Sequence, residues 1–177
     1  SQLQLQRVTL PGETGGLSVN GTATINTLDE SQLIINWDED TIPTNTNLNS
    51  PSGRNNTGSI DFIIDPGTYN PTTAKAAGLR LLLLVAINTS SNVGGAGYDG
   101  PDAWKNADNS DFVAGENDIV EWDGTAWHVV FDASADDGTT TKYITNLNTG
   151  VQYRWTGTEW ILSFEGEYRK GTWRLSL

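Results

Sequence analysis

A six-residue pattern occurs twice in the second half of this chain. Trp122-Asp123-Gly124-Thr125-Ala126-Trp127 returns 33 residues later as Trp155-Thr156-Gly157-Thr158-Glu159-Trp160, and each copy carries a Phe four residues on, Phe131 and Phe164. Two indoles on either side of a short Gly-containing bend specify a β-hairpin whose aromatic side chains meet across the strands. Because side chains alternate between faces of a strand, Val120, Trp122, Trp127, Val129 and Phe131 are expected on one face of the first copy. Glu121 and His128 fall on the other, as a solvated cross-strand pair. In the second copy Val151, Tyr153, Trp155, Trp160, Leu162 and Phe164 share a face opposite Arg154, Glu159 and Ile161. A shorter third echo, Tyr168 to Trp173, extends the series toward a C-terminal meander. Repetition of a unit speaks of architecture before chemistry.

The rest of the chain supports an all-β reading. Its 177 residues are enough to bury a core, and 19 Gly with many Thr and Asn suit short strands and tight turns. The expected fold is an antiparallel sandwich or barrel-like set of sheets ending in the hairpin meander. Leu79–Ile87 is nearly all apolar, which implies burial on both faces, and is expected as the central strand with Arg80 near its mouth. Leu3–Leu10 reads as an edge strand, Leu17–Leu28 as alternating text broken by an Asn20-Gly21 turn, and Leu33–Trp37 as a short strand. Thr41–Thr57 has no periodicity and reads as a long loop or linker, functional or packed against a partner. Ser59–Ile64 is a further strand, closed by Asp65-Pro66-Gly67, and Thr72–Gly78 could hold one helical turn. The Gly, Ser and Asn-rich text from Asn88 to Gly97 suggests a division into 1–94 and 95–177, unless the domain is continuous.

Composition excludes several chemistries. There is no Cys, hence no disulfide, thiolate metal site or cysteine nucleophile. The formal charge is −12, with eleven acidic residues against Lys105 alone between Asp99 and Asp137. Such a field repels nucleic acid and anionic membranes, so neither is expected as a partner. No apolar run approaches the length of a membrane span. His128 is the only histidine, and no nucleophile elbow or phosphate-binding loop is present, so no catalytic residue and no cofactor are expected. Carboxylates are abundant, but most stand in turn-like text, where solvated loop residues are the simplest account. Asp108, Asp111, Asp132 and Asp136 are weak calcium candidates, since their spacing lacks that of an EF-hand loop, and no metal site is expected. Trp104 lies outside both repeats, with Tyr98, Asp99 and Asp102 nearby, and a flat indole with polar neighbours suits a sugar ring. These four form the candidate glycan or partner contact.

Two passages carry a resemblance. Gly15-Gly16-Leu17-Ser18-Val19-Asn20-Gly21-Thr22-Ala23-Thr24-Ile25 resembles the β text of tail-fibre and other structural proteins of tailed bacteriophages. Asp118 to Trp127 and Val151 to Trp160 are similar to hairpins of virion and tail-associated phage proteins, and 99–177 resembles segments of structural proteins from T4-like phages of marine cyanobacteria. The resemblance implies a non-enzymatic virion component (tail, neck, fibre or capsid surface) in several copies, with other virion proteins as partners. It implies assembly in the host cytoplasm and residence in the virion. The alternative expectation is a carbohydrate-binding module that reads host-surface glycan through the exposed aromatics.

Overall fold

The computed structural model describes residues 2–6, 18–38, 40, 43–73, 75–87, 103–163 and 173–176. Among these the regular structure is all β, apart from one 3-10 turn at Ala133–Ala135. No helix among them is long and apolar enough to cross a membrane. The chain divides into two compact units, one of 1–44 with 164–177 and one of 45–163.

The first unit holds a four-stranded antiparallel sheet. Its strands are β1 (Gln2–Gln6), β2 (Ser18–Ile25), β3 (Gln32–Trp37) and a C-terminal strand, Trp173–Ser176, in the order β1, β2, β3, C-terminal strand. β1 is an edge strand, as its alternation implied. Asn20-Gly21 makes no turn: β2 runs straight through it, and Gly21 is the partner of both Leu3 and Trp37. The turn comes instead at 26–31, where Asn26 N donates to Gln32 O at 2.9 Å. Trp173, the last residue of the third echo, pairs with Ile35 rather than extending the hairpin series, so the expected meander stops at the second copy. Tyr168 to Thr172 lie outside the described residues.

The second unit contains two sheets. One comprises β4 (Ser59–Ile60), β9 (Lys142–Asn146), β10 (Gln152–Trp155) and β11 (Trp160–Ser163), in the order β11-β10-β9-β4. The other runs β5 (Phe62–Ile64), β6 (Arg80–Leu83), β7 (Ile119–Trp122), β8 (Trp127–Phe131). The C-terminal strand Trp173–Ser176 is therefore β12. Ser59–Ile64 is two strands rather than one. It changes sheets at Asp61, where β4 joins β9 and β5 joins β6, both in parallel. Asp61 Oδ2 accepts the Arg80 backbone N–H at 2.8 Å and pairs with Arg54 at 2.7 Å, which anchors the crossing. No helical turn forms over the described residues of Thr72–Gly78.

The central position of β6 follows from its composition: all four residues are buried between β5 and β7. Leu81 and Leu83 join Ile64, Val120, Trp104, Phe112 and Trp127 on one face. Leu82 joins Ile60, Ile119, Phe131, Ile144 and Trp155 on the other. The second cluster draws on both sheets, so they form a sandwich. The apolar run does not stay buried to its end, since Leu84 and Val85 are exposed. The proposed division at 94/95 would part β6 from β7, which are hydrogen-bonded neighbours within one unit.

Candidate functional site

The twin hairpins share one hydrogen-bond pattern at the bend. Trp122 and Trp127 are opposed with ring centroids 5.4 Å apart, and Trp155 and Trp160 at 5.3 Å. Asp123 Oδ1 accepts the N–H groups of Thr125 and Ala126; in the second copy Thr156 Oγ1 does the same for Thr158 and Glu159. Gly124 and Gly157 take φ of +110° and +97°, which only Gly adopts without strain. What differs is the route of the strand beyond. Ile119 faces Phe131 while Val120 faces Val129, so Val130 is an extra residue in β8. A β-bulge of this kind resets the side-chain parity. Phe131 consequently leaves the face of Trp127 and packs edge-on against Trp155 and Trp160, with centroids at 5.4 and 5.0 Å. Expecting Phe131 beside Trp127 was wrong for that reason. Val129 is 38% and Leu162 45% exposed, so neither is the core residue that alternation implied. Phe164 lies outside the described residues.

Glu121 departs furthest from expectation. It is opposite His128 in register, yet it is fully buried and faces Arg80, also fully buried, with Arg80 Nε 2.6 Å from its Oε2. Its Oε1 accepts from Ser50 Oγ at 2.7 Å, Ser52 Oγ at 2.6 Å and Ser52 N at 3.1 Å. Arg80 in turn donates to the carbonyls of Thr57 at 2.7 Å and Asn55 at 3.4 Å. The 50–57 part of the aperiodic stretch therefore closes as a clasp over β6 and β7, held by side chain to side chain and side chain to backbone bonds. Burial alone would raise the Glu121 pKa, but the Ser52, Ser50 and Arg80 hydrogen bonds together hold it below the ordinary value. His128 is held instead by Asp123, its Nε2 2.7 Å from Oδ2.

Trp104 is wholly buried. It packs against Tyr69, Phe112 and Trp127 and donates its Nε1–H to Pro66 O at 3.3 Å. A sugar cannot stack on it; Tyr98, Asp99 and Asp102 lie outside the described residues. The calcium candidates are each engaged locally. Asp108 Oδ1 accepts from Ser110 N and Oγ, and Asp132 Oδ1 caps the 3-10 turn through Ser134 and Ala135. Asp111 pairs with Lys105 and Asp136 with Lys142, which puts an ammonium where a cation would have to sit. Among the described residues no three metal-ligating side chains converge.

The neighbours of Trp104 open onto a groove of about 470 Å³. One wall is Pro71, Thr72, Thr73 and Lys75, shaped by Asn70 Oδ1, which accepts the Thr72 N–H at 2.9 Å. The other is a tight loop in which Lys105 bridges to Asp111 and Asn106 N donates to Ser110 O. The first hairpin forms the floor with Trp122, Trp127, Gly124 and Thr125. Lys75 Nζ stands 3.9 Å above the Trp122 ring and 5.1 Å from that of Trp127, and it donates to Pro71 O. Burial lowers the Lys75 pKa. Sequence reasoning found one element of this groove, the 103–105 segment, but chose the side chain that points inward. The signal it missed is the stacking of Lys75 over the hairpin indoles, which no spacing along the chain records. Compared with known proteins, the chain matches no family model, no curated protein and no solved structure.

Proposed function

We propose that the chain is a non-enzymatic structural or assembly component of a tailed-bacteriophage virion, working in several copies beside other virion proteins. The observation that carries this reading is the use made of the aromatic repeats. Phe131 of one hairpin seats against Trp155 and Trp160 of the next, so the rings that a binding module would display serve as cement between two ribbons. The carboxylates fit the same reading: among the described residues Asp108, Asp123 and Asp132 cap turns, Asp111 and Asp136 are ion-pair partners, and Glu121 is the buried anchor of a clasp. A strongly acidic exterior keeps copies apart until specific contacts form. The sequence resemblance to phage virion proteins supplies the setting.

The test is the mass of the purified full chain in solution, followed by electron microscopy of the species it forms and antibody labelling of phage particles that contain it. Discrete rings, tubes or a labelled position on the particle are expected. A monomer at all concentrations, with no labelled particle, would overturn the reading.

A further inference from the structure

The groove over the first hairpin gathers two lysines of an acidic chain. Two lysines, Lys75 and Lys105, line one cavity of a molecule whose formal charge is −12. Two carboxylates beside it among the described residues are already engaged: Asp111 by Lys105, and Asp123 by Thr125, Ala126 and His128. Lys75 has no carboxylate partner among the described residues. Its ammonium is fixed over an indole and against the Pro71 carbonyl, an arrangement that orders a long side chain before any ligand arrives. The hydroxyls of Thr72, Thr73 and Thr125 donate into their own turns, to Asn70 Oδ1, Asn70 O and Asp123 Oδ1. Their oxygens remain acceptors, suited to ligand O–H groups rather than to further anionic oxygens.

We propose that this groove binds an acidic saccharide, a uronate or sialate unit. Its carboxylate would meet Lys75 and Lys105, its hydroxyls the threonine oxygens, and its apolar ring face the half-buried edge of Trp122. A carboxylate satisfies the ammonium, hydroxyl donors satisfy the acceptors, and a flat C–H face satisfies the indole. An acidic peptide supplies the carboxylate and N–H donors but lacks the flat C–H face. The volume suits one or two sugar units, being at the small end of ligand pockets. The inference stands apart from virion assembly, since the groove lies within one unit of one chain.

The test uses the full chain and follows tryptophan fluorescence and saturation-transfer NMR with digalacturonate, sialyllactose, neutral lactose and a Glu-rich peptide. Saturable binding of at least one acidic sugar is expected, at least tenfold tighter than lactose and the peptide. Lys75→Gln is expected to weaken it at least tenfold, while Lys75→Arg retains part and the far-UV circular dichroism is unchanged. Should Lys75→Gln fail to fold, Lys105→Gln supplies the charge test and is expected to weaken binding severalfold. Lack of binding by either acidic sugar, equal binding of lactose, equal binding of the peptide, or full affinity in a folded Lys75→Gln or Lys105→Gln variant would overturn the proposal.

Discussion

Single residues decide whether the clasp over β6 and β7 stays shut. Glu121 and Arg80 are both fully buried, and each is satisfied by the other and by the 50–57 segment. Removing one partner strands a charge in a dry interior, at a cost of about 3–5 kcal/mol. Glu121→Gln is therefore expected to lower the urea midpoint sharply, whereas the double change Arg80→Met with Glu121→Leu recovers much of the loss. Acid sensitivity follows from the same group. Its pKa is depressed in the folded state, so its stabilisation is complete above the unfolded value of about 4.3 and disappears as pH falls through the lower folded value. Asp123, held down chiefly by the Ala126 and Thr125 N–H groups, acts in the same direction, while burial raises Asp118 and opposes them. Urea titrations from pH 6 to pH 3 are expected to show falling stability, with a shallower decline in Glu121→Gln. Gly157 is decisive in a different way. A Cβ there would lie 2.5 Å from the Asp137 carbonyl oxygen, at φ +97°, so Gly157→Ala is expected to cost at least about 1–3 kcal/mol in thermal or urea unfolding.

At the scale of elements, local text was readable wherever period and neighbour agreed. The paired indoles, the first half of the apolar run and the Asp65-Pro66-Gly67 turn all take the form their residues imply, with Gly67 N donating to Asp65 Oδ1 at 2.9 Å. Alternation fails after Val129 because a bulge changes parity without any residue that announces it, and Val130 is chemically interchangeable with its neighbours. Asn20-Gly21 fails for the opposite reason. A strong local turn signal gives way when both flanking strands supply ladder partners. Phe131 provides the measurable consequence. As the ring that joins the two ribbons, Phe131→Ala is expected to cost about 3–5 kcal/mol, against less than about 1 kcal/mol for Val129→Ala on the same strand, read from urea melts. Trp104, sought at the surface and found in the core, shows the limit at the candidate site. Loop composition suggests exposure, but only the three-dimensional neighbours Tyr69, Phe112 and Trp127 reveal which way the indole turns.

Across the whole molecule, the feature that no local pattern encodes is the pairing of β12 with β3. Ser176 faces Gln32, so the first unit draws its sheet from both ends of the sequence, while 45–163 supplies two complete sheets of its own. A fragment of residues 45–163 is expected to unfold cooperatively and to keep the near-UV circular dichroism of its clustered indoles. The fragment 1–44 lacks the outer partner of β3 and is not expected to show a comparable transition. The same pairing bears on how the chain is made. On the ribosome, every strand of the later-numbered unit has been synthesised before the one that finishes the earlier-numbered sheet emerges. β3 must then wait with an uncovered edge through more than a hundred further additions, and the time the nascent chain spends in that state sets its greatest exposure to chaperones and to mispairing with other copies.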